Sequence, residues 1–111
     1  MQYRKGGGAP RHLDSTEAQL VRRVARAFRV REAALFADAR TSAQESLARH
    51  TAMYLMHVVL RRTYADVAAL FSRHRTSVLY ACARIEDRRD DRAFDARIAR
   101  LERSLAELED A

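Results

Sequence analysis

Apolar residues recur at helical spacing through almost the whole chain, and polar starter residues punctuate the pattern. Asp14 stands three residues before Glu17, Ser42 three before Glu45, and Thr63 three before Asp66, each just ahead of an apolar run. A short acceptor followed at that interval by an acid can satisfy two unpaired backbone N–H groups at a helix start. No segment alternates polar and apolar residues with a period of two, so no strand is predicted. The first helix carries the stripe Leu20, Val21, Val24, Ala25 and Phe28, and a brief one follows over Arg31–Phe36. A longer helix from Ser42 to about Arg61 buries Ala48, Ala52, Leu55, Met56 and Val59. Short helices then run from Thr63 to Phe71 and from Thr76 to about Arg89, separated by the polar residues Ser72 to Arg75. The last helix, from about Ala93 to Leu108, carries Phe94, Ile98, Leu101, Leu105 and Leu108 at 4-3-4-3 spacing. The expectation is an all-α fold of about six helices.

With 111 residues, 48% of them hydrophobic, the chain supports one compact domain. Residues 1–13, with Gly6, Gly7, Gly8 and Pro10, read as a disordered basic tail ahead of a single domain over 14–111. The triple glycine is not a phosphate loop, because no Gly-Lys-Ser/Thr follows and no strand precedes it. Met1 to Asp14 lacks the apolar core of a signal peptide. The apolar stretch Ala52–Leu60 is broken by His57 and falls short of the ~20 residues that span a bilayer. A cytoplasmic protein without a membrane partner is expected.

One cysteine, Cys82, removes any internal disulfide, and its place on an inward helical stripe makes it a core residue rather than a nucleophile. His12, His50, His57 and His74 lack metal-site spacing. The acid pairs Glu86–Asp87 and Asp90–Asp91 read as a solvated helix end. Neither an enzyme nor a cofactor or metal site is expected.

Charge is distributed unevenly. Residues 1–84 hold 15 basic and 6 acidic side chains, a balance of +9, whereas residues 85–111 hold 6 and 9, a balance of −3. A basic body points to a polyanion partner. The two helices around residues 72–75 supply a place for one, since short helix, tight turn and second helix form a helix-turn-helix pattern. Ala68, Ser72 and Val78 fall at the small, turn and β-branched positions of that motif, with Ser where Gly is usual. Val78, Ala81, Cys82 and Ile85 face inward by their spacing, leaving Thr76, Ser77, Tyr80 and Arg84 outward, headed by Arg75. Arg at the start of such a helix can pair with both acceptors of guanine, and Thr can meet phosphates or thymine methyls.

Three stretches are similar to one known family. They are Ala48-Arg49-His50-Thr51-Ala52-Met53-Tyr54-Leu55, Tyr64-Ala65-Asp66-Val67-Ala68-Ala69-Leu70-Phe71, and Arg75-Thr76-Ser77-Val78-Leu79-Tyr80-Ala81-Cys82-Ala83-Arg84-Ile85-Glu86. Together they resemble the C-terminal DNA-binding domain (domain IV) of the bacterial replication initiator DnaA, over about residues 15–105. The resemblance implies a six-helix, Trp-repressor-like domain that reads short duplex boxes. A recognition helix would enter the major groove, and a basic loop would place an Arg in the minor groove. Carried over, Arg75, Thr76 and Ser77 would contact bases or phosphates, with Arg73, His74 and Tyr80 beside them and Arg84 further along the same helix. Arg49 and His50 would touch the backbone, and His57, Arg61 and Arg62 would extend that phosphate track.

The chain also departs from the family. His74-Arg75-Thr76-Ser77 replaces the usual Asp-His-Thr-Thr, which removes an acidic cap acceptor and adds positive charge. The loop region from Asp38 to Leu47 holds one Arg, Arg40, together with Asp38 and Glu45. With no Walker-type site or AAA+ module, the chain reads as the initiator's DNA-binding end standing alone. Two functions follow. One is a nucleoid-associated regulator of replication initiation or transcription, binding double-stranded DNA at initiator-like boxes. The other is a protein-interaction module acting on the initiator or its regulators. The heptad-like seam of the last helix also leaves a homodimer open, although packing onto the domain's own core is favoured.

Overall fold

A computed structural model describes residues 12–37 and 41–110, with the side chains of residues 109 and 110 left undescribed. Five α-helices, α1 (Ser15–Phe28), α2 (Ala43–Val58), α3 (Tyr64–Phe71), α4 (Arg75–Arg88) and α5 (Arg92–Asp110), are joined by one 3-10 helix over Glu32–Phe36. No strand occurs among the described residues. The chain is all-α, and the brief helix expected after α1 is the 3-10 segment. Arg40 and most of the expected N-terminal tail lie outside the described residues.

The three starter pairs form reciprocal caps. The Glu17 backbone N–H donates to Asp14 at 2.8 Å and the Asp14 N–H to Glu17 at 3.0 Å. Ser42 with Glu45, and Thr63 with Asp66, repeat the exchange at α2 and α3. Each satisfies two backbone donors at its helix start.

Helix α2 is the central element, packed against α1 and the 3-10 helix as well as α3 and α4. That position explains its sequence: Thr51 through Met56 are all buried, so the helix is apolar well beyond one face. The Thr51 hydroxyl, fully buried, donates to the Leu47 carbonyl at 2.9 Å. Helix α2 ends at Val58, three residues before the expected Arg61. Arg61 instead has φ 61°, a left-handed conformation that turns the chain toward the Thr63 cap.

The α1 stripe from Leu20 to Phe28 joins a single core cluster with α2, α3 and α4. Helix α5 covers α1, burying Phe94, Ile98, Leu101 and Leu105, while Leu108 is partly buried against the same core. The apolar seam of α5 is thus used within the chain. Two arginines fasten the elements. Arg62 donates to Glu17 at 2.8 Å and to Asp14 at 3.1 Å, tying the α2–α3 turn to the start of α1. Arg89 bonds Asp95, Glu102 and the Tyr54 hydroxyl, joining the end of α4 to α5 and α2. Among the described residues no helix is long and apolar enough to cross a membrane.

Candidate nucleic-acid interface

Helix α3 ends at Ser72, whose φ of 54° is left-handed. The Arg73 N–H closes onto the Ala68 carbonyl at 2.9 Å, and the Ser72 N–H reaches the Ala69 carbonyl. This pair of bonds is the Schellman arrangement that usually employs glycine, here built on a serine. The turn is completed by His74, the N-cap of α4. Its Nδ1 accepts the Thr76 backbone N–H at 3.2 Å and lies 2.9 Å from the Thr76 hydroxyl. The acceptor function that loss of the acidic residue removes is therefore supplied by the imidazole.

Val78, Ala81, Cys82 and Ile85 face inward and are buried, as their spacing requires. Burial, followed by the nearby Glu86 charge, pushes the Cys82 thiol up to about 11, so it stays protonated at neutral pH. The outer face presents Arg75, Thr76, Leu79, Tyr80 and Ala83, all exposed, with Ser77 half-buried. Tyr80 is 66% exposed and Leu79 44%. Leu79 was not anticipated, because apolar side chains in an amphipathic pattern are assigned to the core. Its i, i+4 relation to Arg75 is the signal that places it outward.

Beside this face lies a shallow hollow of about 400 Å3, lined by Arg49, His50, Met53, Arg73, Thr76, Ser77 and Tyr80. It brings α2, the turn and the start of α4 together, and no acidic side chain lines it. Arg73 is anchored by donating to the Ala37 carbonyl at 2.6 Å. Arg84 donates to His50 Nδ1 at 3.0 Å and reaches the Ser46 hydroxyl at 3.4 Å. That bond leaves the His50 proton on Nε2, and the ring meets Tyr80 edge-on with centroids 5.9 Å apart. Burial, reinforced by Arg84, Arg49 and Arg73, depresses His50 to about 4. Arg75 stands next to this group and lines an adjoining hollow with Arg73, His74 and the outer side of α3.

Arg49 is the residue the site leaves uncompensated. One terminal guanidinium nitrogen is buried without a hydrogen-bond partner. Burial, then the like charges of Arg73 and Arg84, lowers its pKa. The Glu45 charge offsets this only in part, and Arg49 forms no ion pair among the described residues.

The structure therefore gathers Arg49, His50, Arg73, His74, Arg75, Thr76, Ser77, Tyr80 and Arg84 around one face. It does not bring His57, Arg61 or Arg62 to the hollow. His57 stacks on Tyr64 at 4.1 Å between centroids, and its Nδ1 lies 2.8 Å from the Arg62 carbonyl oxygen. Arg62 is occupied by Glu17 and Asp14, and Arg61 is exposed in the α2–α3 turn.

A basic recognition-helix face set on a capped helix-turn-helix defines a DNA-binding protein of the helix-turn-helix class. The family model of the bacterial DnaA protein helix-turn-helix matches residues 18–85, from within α1 to the last core residue of α4, and the chain belongs to that family. No curated protein matches the chain.

Proposed function

We propose that the protein binds short duplex boxes of the kind read by the replication initiator and thereby regulates replication initiation or transcription. The observation that carries this reading is the buried, unpaired guanidinium nitrogen of Arg49 in a hollow ringed by Arg73, Thr76 and Ser77. A DNA phosphate in that hollow relieves the repulsion among Arg49, Arg73 and Arg84 and, once the half-buried Arg49 side chain turns outward, supplies the acceptor its nitrogen lacks. With the backbone so placed, Arg75 and Thr76 at the start of α4 are positioned toward base edges, with Tyr80 and Leu79 one turn further on.

The two roles separate by mutation. Arg75→Ala lowers the preference for an initiator-box duplex over a scrambled duplex by about 1–3 kcal/mol, since it removes a base contact. Arg49→Ala weakens both duplexes alike, since it removes a phosphate contact. Fluorescence anisotropy titrations of the two labelled duplexes read both effects. Equal loss from both duplexes in Arg75→Ala would remove it from base reading.

A further inference from the structure

A second arginine-rich surface, sharing no lining residue with the hollow beside α4, lies where α1 and α5 pack together. A hollow of about 530 Å3 is lined there by Arg23, Arg26, Ala27, Arg97, Arg100, Leu101 and Ser104, with no acidic side chain among them. Two of its arginines are fixed as walls. Arg23 donates to the Ser104 carbonyl at 3.0 Å and to its hydroxyl. Arg97 donates to the Ala27 carbonyl at 3.1 Å, with its guanidinium 4.5 Å from the centre of the Phe28 ring. Arg26 and Arg100 line the same hollow as exposed side chains with no ion pair among the described residues.

The surface continues beyond that hollow. Arg26 also lines a neighbouring one with Arg22, Arg31 and Glu32, where Glu32 is a single acid 3.9 Å from Arg22. The result is an elongated cationic band rather than a point site. The large exposed apolar side chains, Val58, Leu79 and Tyr80, all lie off this band. A protein partner docks through buried apolar or aromatic anchors, which the band does not offer. An extended row of arginines suits a phosphodiester backbone instead. Arg97 and Arg100 also fall beyond the residues matched by the family model, so two of the band's six arginines belong to this chain's own C-terminal helix.

We propose that the α1–α5 arginine band binds the phosphate backbone of a second DNA duplex, without reading sequence, so that one molecule bridges two DNA segments. The bridge rests on the helix-turn-helix holding the first duplex, whereas phosphate binding by the band does not.

Arg26→Ala combined with Arg100→Ala tests the proposal, with circular dichroism confirming the fold. A box duplex is tethered to beads, the protein is added, and capture of a labelled box-free duplex is measured at low salt. The wild type captures the second duplex, and the double variant stays on the beads but captures at least about tenfold less. Direct titration of the box duplex shows its affinity held in the double variant, so the lost capture is not loss of the first duplex. Should the helix-turn-helix reading fail instead, Arg75→Ala leaves box preference unchanged while the double variant still weakens binding to the box-free duplex. Capture by the double variant at the wild-type level would overturn the proposal. So would wild-type protein that holds the beads yet captures only labelled polyglutamate, which would assign the band to an acidic protein.

Discussion

Arg49 and Arg62 are both arginines facing partly inward, yet they have opposite relations to stability. Arg62 meets two carboxylates, one of them on a glutamate that is 2% exposed. Arg49 meets two other arginines and leaves a buried nitrogen unbonded. A partly desolvated charge without a partner destabilises the fold, so Arg49→Met should raise stability by about 1 kcal/mol while weakening DNA binding. Urea unfolding reads the first change and anisotropy the second. His50 adds a pH dependence. Its folded pKa of about 4 lies below the ordinary value of 6.5 that holds in the unfolded chain, so between those limits the unfolded chain binds the extra proton. Stability is complete above pH 6.5 and falls as the pH drops toward 4. His50→Gln should flatten that part of the stability profile, as measured by thermal unfolding across the window. The sequence identified Arg49 and His50 by resemblance alone. Their shared environment depends on Arg73 and Arg84, which arrive from other elements, and no local pattern encodes it.

At the level of elements, the helices were legible because their starts are written locally. A capping box involves four consecutive residues, and all three formed where the sequence set them. The inward stripe of α4 was legible for the same reason. Helix ends were less so: α2 stops at Val58 because the chain must reverse into α3, a tertiary demand met by a left-handed Arg61 with no sequence mark. The cap at His74 shows a different limit, since histidine is an uncommon N-cap and its acceptor nitrogen depends on the tautomer. The resemblance puts Arg62 in a phosphate track along the preceding helix with His57 and Arg61, whereas its partners, Asp14 and Glu17, are far away in sequence. Arg62→Ala leaves Glu17 buried without its cation and should cost about 3 kcal/mol in denaturant unfolding. DNA affinity, measured where the variant remains folded, should hold to within about twofold, because the residue lies outside the arginine-lined hollow.

For the whole molecule, a net charge of +6 hides two arrangements that composition cannot separate. The basic excess of residues 1–84 divides between the face of α4 and the outer side of α1, two surfaces that share no lining residue. Within residues 85–111, Asp95 and Glu102 are both held by Arg89. Arginines of the same C-terminal helix complete a second cationic surface. Charge counted along the chain gave the sign of the partner; only the packing of helices shows two separate places where it could bind.

The most direct measurement is the salt dependence of wild-type binding to an initiator-box duplex and a scrambled duplex, followed by anisotropy. With about four to six phosphates neutralised, log affinity falls against log salt with a slope of about −4 to −5, and the box duplex binds more tightly throughout. Equal affinity for the two duplexes would contradict box recognition, and no binding to either at low salt would contradict the DNA-binding account itself.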